Sequence, residues 1–458
     1  MSNTADPADG PARRTAWIAG AIVLLGLLIR LLVAPSYGYL GMDADLIEQK
    51  QAVHRAITIG VHQVYTPNRV NDPALAGGEW QGGYFVNYPP LIVYLRLPPV
   101  LIYRQLAPAA FDLWDSELNY FELLHTDLDY RLAHSRGFTV ALKLPGILAD
   151  ALIALGLFLV LSGPRGSPAG LLAAAFYAWN PGIIFNTAHW GQSDAVWVAL
   201  LALSLYSMHR GWIEVGWVAY ALSALTKPQA GAFLLLVLFL GLTRAPLRRV
   251  AVAAAAAVAT ALLVFLPFLL HGTFVQSVEA IFGSVFGGEP FVSCNANNLW
   301  WVLTGGRGYE VSDATAVLGP LTPRLFGMLA FLAGNGLVFW RLRRPGGDVS
   351  RVFLAAGFLW MVFFTFNTEL HENHMMAALP LLAFAVTRDQ RLWGLLGVLS
   401  VTFLLNLVLF DHAALAPVMR ALGVESLDVR LLSVAAASLN VAAFGALAWI
   451  FWQRTEPD

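Results

Sequence analysis

The sequence predicts an all-α membrane protein that crosses the bilayer many times, and three observations carry that expectation: its apolarity, the length of its apolar runs and the placement of its arginines. Of 458 residues, 58% are hydrophobic and only 12% charged, with a mean hydropathy of +0.63. An ordinary water-soluble domain has roughly 25% charged residues. A hydrocarbon core of about 30 Å takes roughly 20 apolar residues of helix to cross, and runs of that length recur along the chain. They lack the alternation of a closed barrel.

The first run, Ala16 to Val33, follows a polar leader containing Arg13 and Arg14. It is long for the apolar core of a signal peptide, so a retained span is expected. Next comes a mostly polar first loop, residues 35–137, holding a large share of the acidic residues. Within it, Tyr88-Pro89-Pro90-Leu91 opens an apolar segment to Leu106 that reads either as a span or as an interfacial helix. Further apolar runs lie near 138–161, 169–188, 195–209, 212–226, 229–243, 250–270, 323–340, 352–367, 375–387, 392–410 and 431–452.

The arginines decide between the two readings. If 88–106 does not cross, then Arg165, Arg210, Arg244, Arg248, Arg249, Arg341, Arg343, Arg344, Arg351, Arg388, Arg391 and Arg454 all fall on the side of Arg13 and Arg14. That is the positive-inside pattern. The expectation is therefore a single transmembrane domain over 1–458 with about twelve spans, both termini cytoplasmic, and a long extracytoplasmic first loop with interfacial helices. No repeat of 20–50 residues is evident. The one cysteine, Cys294, offers neither an internal disulfide nor a thiolate cluster, and the net charge of −1 points to no nucleic-acid partner.

On this topology five polar clusters share the extracytoplasmic face, which suggests one site. Asp43 and Asp45 follow the first span as a pair of carboxylates. They suit the start of a helix, where carboxylates are favoured, but equally a general base or a divalent metal held by hard oxygen ligands. His189-Trp190-Gly191-Gln192-Ser193-Asp194 is either an aromatic interface anchor with a helix cap or a dense hydrogen-bonding surface of the kind sugars need. Lys227, in Thr226-Lys227-Pro228-Gln229, either snorkels to the interface or meets an anionic phosphate. A fourth cluster runs from Asn295 to Asn298. In the fifth, His371 and His374 flank Glu372, but the zinc-protease pattern needs one more residue between its histidines. Asp150 falls inside a span, where an ionisable side chain is a functional candidate or a packing link between helices.

Taken in order, these motifs resemble the GT-C superfamily of polyprenyl-phosphate-sugar glycosyltransferases, and in particular bacterial relatives of the dolichyl-phosphate-glucose-dependent α-1,3-glucosyltransferases. The resemblance runs over about residues 16–390. Asp43 and Asp45 match the acidic pair of that family's first lumenal loop, and Tyr88 to Leu91 its Tyr-Pro-Pro-Leu. Arg136-Gly137 and Ala149-Asp150 match its second-span elements, and Leu370-His371-Glu372-Asn373 its Val-His-Glu-Lys. His189 to Asp194 and Lys227-Pro228-Gln229 are typical of the bacterial branch, which includes mannosyltransferase-related proteins. One departure is Asn373, where the family carries Lys or Arg.

The resemblance implies a GT-C-like fold and an inverting transfer of a hexose or pentose from a polyprenyl-phosphate-sugar donor. The acceptor would be a hydroxyl of a glycolipid, a lipid-linked glycan or a cell-envelope glycan. Asp43 would be the general base. Asp45, Tyr88, His189, Gln192, Asp194, Lys227, His371 and Glu372 would contact substrate, with Lys227 and His371 at the phosphate. No cofactor is implied, and the site is expected to be metal-independent, with a divalent ion at Asp43 and Asp45 as the other reading. A secondary transporter is the main non-enzyme alternative, but it would show related halves and broken helices meeting at the midplane. A glycan polymerase or ligase shares the donor chemistry but carries a larger late loop than residues 271–322.

Overall fold

The computed structural model describes residues 9–36, 45–66, 88–114, 134–163, 168–287, 290–316, 319–343, 347–424 and 426–453. Among these the chain is all-α, with isolated bridges in place of a sheet. Helix α1 (Asp9–Val33) leads into the first loop, where α2 (Asp45–Thr58) and α3 (Leu91–Leu106) pack on each other and on α4 (Arg136–Ser162). Helix α3 falls short of a span: it has 16 residues, two arginines and the pair Pro98-Pro99, which lack backbone N–H donors. The first loop thus contains helices of its own.

The chain continues through α5 (Pro168–Ala178), α6 (Asp194–His209), α7 (Ile213–Ala224), α8 (Leu234–Arg244), α9 (Leu247–Val264) and α10 (Phe274–Gly287). It ends with α11 (Pro323–Leu342), α12 (Val349–Phe366), α13 (Arg391–Phe410), α14 (His412–Leu422) and α15 (Val429–Gln453). Seven described helices are long and apolar enough to cross a membrane: α1, α4, α9, α11, α12, α13 and α15. Five shorter apolar helices accompany them, Pro168–Ala178, Asp194–His209, Ile213–Ala224, Pro228–Arg244 and Phe274–Gly283.

The total agrees with about twelve apolar helices, but one member differs. The run at 375–387 forms a 3₁₀ turn, Glu372–Ala377, and a six-residue helix, Ala378–Ala383, all of it buried. It nevertheless returns from His374, at the site end of α12, to Arg388, which lies beside Asp348 at the other end of that helix, so it runs the length of a span without being one continuous α-helix. Helix α10 lies in a stretch that the sequence presents as loop.

Helix α12 forms the centre, with 78% of its apolar window buried against 11% for α9. Aromatic rings fill the space around it: Phe353 stacks on Phe384 and Phe358 on Phe451, both at 4.3 Å, and Trp360 lies between Trp197 and Phe233. Offset stacks of this kind contribute about 0.5–1.5 kcal/mol beyond their burial. Outward-facing leucines such as Leu32, Leu152 and Leu263 are exposed, which carries no penalty against lipid tails.

The polar residue found inside a span proves to be a link between helices. Asp150 of α4 accepts from Arg30 Nε of α1 at 2.7 Å and from the Tyr177 hydroxyl of α5 at 2.7 Å. Arg30 Nη1 also donates to the carbonyl oxygens of Gly26 and Ala178. Pairing the two charges inside the bundle is what makes them tolerable there, with only Arg30 Nη2 left without a hydrogen-bond partner.

Candidate active site

The site is built on the turn between α5 and α6. Asn180 caps the next helical turn through Oδ1, which accepts from the backbone N–H groups of Gly182 and Ile183. Residues Phe185–Trp190 then form a single π-turn, a widening that is frequent at functional sites. Gly191, at φ +90°, closes it in the left-handed region. A Cβ there would sit 3.1 Å from Lys143 Cε and 3.5 Å from Leu46, so the residue is confined by contact as well as by conformation. This geometry aims Gln192 at Asp45 of the first loop and Asp194 at Lys227.

Five of the residues singled out by the sequence meet at this turn. Gln192 Nε2 donates to Asp45 Oδ2 at 2.5 Å, and Gln192 Oε1 accepts from Lys227 Nζ at 3.4 Å. Lys227 Nζ in turn lies 2.8 Å from Asp194 Oδ1 and 5.3 Å from the centre of the Tyr88 ring. Tyr88 is brought there because Leu91 N–H donates to the carbonyl of Leu225, two residues before Lys227, and the Tyr65 hydroxyl donates to the Tyr88 carbonyl. Asp45, in the first turn of α2, is also where a carboxylate favours the helix dipole. Asp43, the expected base, lies outside the described residues.

Asp194 is the most heavily engaged group. Besides Lys227 it accepts from Asn186 Nδ2 at 3.2 Å, Trp197 Nε1 at 3.1 Å and Asn373 Nδ2 at 3.1 Å. The last contact joins the fifth cluster to the second.

The His371 element is set by the fourth cluster. Cys294 and Asn295 pair with His371 as backbone bridges, and Cys294 N–H donates to Leu370 O at 2.9 Å. Asn295 and Glu369 flank this pairing with φ of 62° and 61°. Both are non-glycine residues in a sparsely populated region, which clusters at functional sites. Arg324 braces the element by pairing with both Asp313 and Glu369. His371 is partly exposed and Glu372 is buried, with His371 Nδ1 4.0 Å from Glu372 Oε2.

Electrostatics separate the roles. His374 Nδ1 accepts the His371 backbone N–H at 3.0 Å, so a neutral ring carries its proton on Nε2, facing the Gln229 amide at 2.9 Å. Turning the amide oxygen to the ring satisfies an atom otherwise buried without a partner. Burial, then the nearby His371 and Lys227, hold the His374 imidazole well below its ordinary value, so it is neutral at pH 7. Burial, then the carboxylates of Asp45 and Asp194, push the Tyr88 phenol well up, so it remains a hydroxyl donor.

The structure does not bring every expected residue to this cluster. The His189 ring turns to Asp411, with Nε2 3.0 Å from Oδ2, and packs on Phe185. Its backbone carbonyl instead accepts from Lys143, whose ammonium also reaches the carbonyls of Ala34, Ser36 and Ala188. One residue escaped the sequence reading. Arg96 of α3 is 3% exposed and close enough for its charge to be felt at Tyr88 and for Asp45 to be felt by it. An arginine within an otherwise apolar segment was the available signal.

No family model matches the chain, and no curated protein matches it by sequence. Two solved structures have a similar shape. One is ArnT from Cupriavidus metallidurans in the apo state, 15% identical, with a TM-score of 0.46 over 97% of this chain and 78% of that one. The other is ArnT from the same organism bound to undecaprenyl phosphate, 16% identical, with a TM-score of 0.45 over 94% of this chain and 77% of that one. At this level of identity and overlap, the residues of the site must speak for function.

Proposed function

We propose that the protein is an inverting glycosyltransferase that moves a hexose or pentose from a polyprenyl-phosphate donor to an extracytoplasmic acceptor hydroxyl. The observation that carries this reading is the convergence of Asp45, Tyr88, Gln192, Asp194 and Lys227 at one turn under the first-loop helices. Hydroxyl, amide and carboxylate groups side by side suit a sugar, and a cation among them suits a phosphate. A donor with an isoprenoid tail stays in the bilayer, so its headgroup must be met by polar groups at the ends of spans. The ordered motifs that resemble GT-C enzymes add to this, and the arginine pattern supports a site outside with both termini in the cytoplasm.

In this reading the Asp43 carboxylate takes the proton of the acceptor hydroxyl. The acceptor oxygen bonds to C1 of the sugar as the bond from C1 to the phosphate oxygen breaks, through an oxocarbenium-like transition state. Polyprenyl phosphate leaves with the electron pair. It is a far weaker base than an alkoxide, so no general acid is required, and stabilisation of the departing charge replaces one. Lys227 and His371 are the cationic and hydrogen-bonding groups that the sequence assigns to the phosphate. Asp45, Gln192 and Tyr88 contact sugar or acceptor, and Asp194 holds Lys227. Glu372 and His189 support the site from either side. The acceptor class is a glycolipid, a lipid-linked glycan or a cell-envelope glycan.

The test is sugar transfer from synthetic short-chain polyprenyl-phosphate sugars by the purified protein, comparing Asp43→Asn and Asp45→Asn with wild type, with and without EDTA. Loss in Asp43→Asn alone, with no effect of EDTA, supports a metal-free base at Asp43. Loss in both variants and in EDTA assigns a metal to the pair. Turnover undiminished in both removes the first-loop mechanism.

A further inference from the structure

The sequence assigns Lys227 and His371 to the donor phosphate, but Lys227, the one with a fixed charge, is already matched. Its ammonium lies 2.8 Å from Asp194, and both side chains are buried. An anion arriving there must compete with a carboxylate that three further donors hold in place. His374 is neutral and supplies no charge. Asn373 supplies none either.

Arg96 is in the opposite condition. It is 3% exposed, it makes no hydrogen bond or ion pair to any described residue, and its Nε is buried without a partner. Burial brings its guanidinium down to about 10, so it remains charged at pH 7. Enclosing a guanidinium without hydrogen-bonded compensation is strongly unfavourable. The structural explanation for such a residue is a partner carboxylate, and Asp45 is the one whose field reaches it. Asp45, however, gives an oxygen to Gln192 and has no ion pair with Arg96. A cation enclosed beside the site with its donors unused by any described residue has the charge and geometry to take an anion.

The rest of α3 indicates what carries that anion. Leu95, Ile102 and Leu106 are all exposed, and their spacing of seven and four puts them on one helical stripe. Arg96 is next to Leu95 in sequence, with its side chain inward. One helix therefore presents an apolar track on its outer side and an unmatched guanidinium at the edge of that track.

We propose that Arg96 binds the phosphate of the lipid-linked donor, with the isoprenoid chain lying along the Leu95, Ile102 and Leu106 stripe, and that Lys227 serves chiefly to hold Asp194. The assignment rests on the glycosyltransferase reading and adds its phosphate-binding residue. A planar guanidinium grips two phosphate oxygens at once, which a lysine cannot do. It would thereby also stabilise the leaving group as the glycosidic bond breaks.

The test is equilibrium binding of a short-chain polyprenyl phosphate, and separately of inorganic phosphate, to the full-length protein in detergent. Wild type is compared with Arg96→Gln and Arg96→Lys, with thermal unfolding followed in parallel. The expected result is a loss of about tenfold or more in affinity for polyprenyl phosphate in Arg96→Gln, and a smaller loss in Arg96→Lys. The apo protein should be no less stable in Arg96→Gln than in wild type, because an unpaired buried charge has been removed. Polyprenyl phosphate bound equally well by wild type and Arg96→Gln overturns the role of Arg96 and leaves the donor reading standing. Inorganic phosphate bound as tightly as polyprenyl phosphate overturns the lipid as its source. Wild type that binds neither overturns this proposal and the donor reading together. Should Arg96→Gln fail to fold, Arg96→Lys decides: a folded protein with unchanged affinity overturns the planar grip on phosphate.

Discussion

The ammonium of Lys227 and the carboxylate of Asp194 form a buried ion pair at 2.8 Å, with side chains 1% and 3% exposed. Removing one partner strands the other, at a cost of about 3–5 kcal/mol. Lys227→Met and Asp194→Asn are therefore each expected to lower the thermal unfolding temperature markedly in detergent. The double variant should recover much of the loss, because neither charge is then stranded. A double variant whose loss equals the sum of the two single losses would show that the pair is not coupled.

His374 makes stability depend on pH with a definite sign. Its folded-state value is held well below 6.5, while the unfolded chain protonates at about 6.5. As pH falls below 6.5 the unfolded state gains a proton that the native state refuses. Stability therefore drops by up to about 1.4 kcal/mol per pH unit, and above that value this group contributes no slope. His374→Gln should flatten the stability curve between pH 6.5 and 5 by that amount. Parallel curves for wild type and variant would mean that the native imidazole accepts the proton.

The bridge of Arg30, Asp150 and Tyr177 is expected to act on stability in a graded order. Arg30→Met leaves the Asp150 carboxylate without its cation and should cost about 3 kcal/mol or more. Tyr177→Phe removes one of its hydrogen bonds and should cost about 1 kcal/mol. Thermal unfolding of the two variants checks the order, and a larger effect of Tyr177→Phe would overturn this account of the bridge.

How much of this was legible follows from what kind of signal each feature leaves. The long spans announce themselves by composition, since lipid demands it along the whole helix. The convergence of Asp45, Gln192, Asp194 and Lys227 was legible because polar residues at the ends of apolar runs have few places to go. The run at 375–387 is legible as apolar, but its break into a 3₁₀ turn and a six-residue helix leaves no mark in composition. Helix α10 was missed because its run is short and lies amid loop. The pairing of His189 with Asp411 joins residues 222 apart in sequence, and no local pattern encodes it. Arg96 was hidden by its neighbours: amid Leu95, Leu97 and the prolines it reads as one charge interrupting a hydrophobic segment.

Lys143 bears on the order in which the chain is assembled. Its ammonium reaches the carbonyls of Ala34 and Ser36, at the exit of α1, and those of Ala188 and His189, in the π-turn before Gln192. During synthesis the first two acceptors exist long before the lysine, while the last two emerge 45 and 46 residues after it. Until then the growing chain can tie only half of this knot. The end of the first span and the turn that carries the site therefore cannot be locked together before residue 189 has been made and inserted. From that point, one ammonium fastens both.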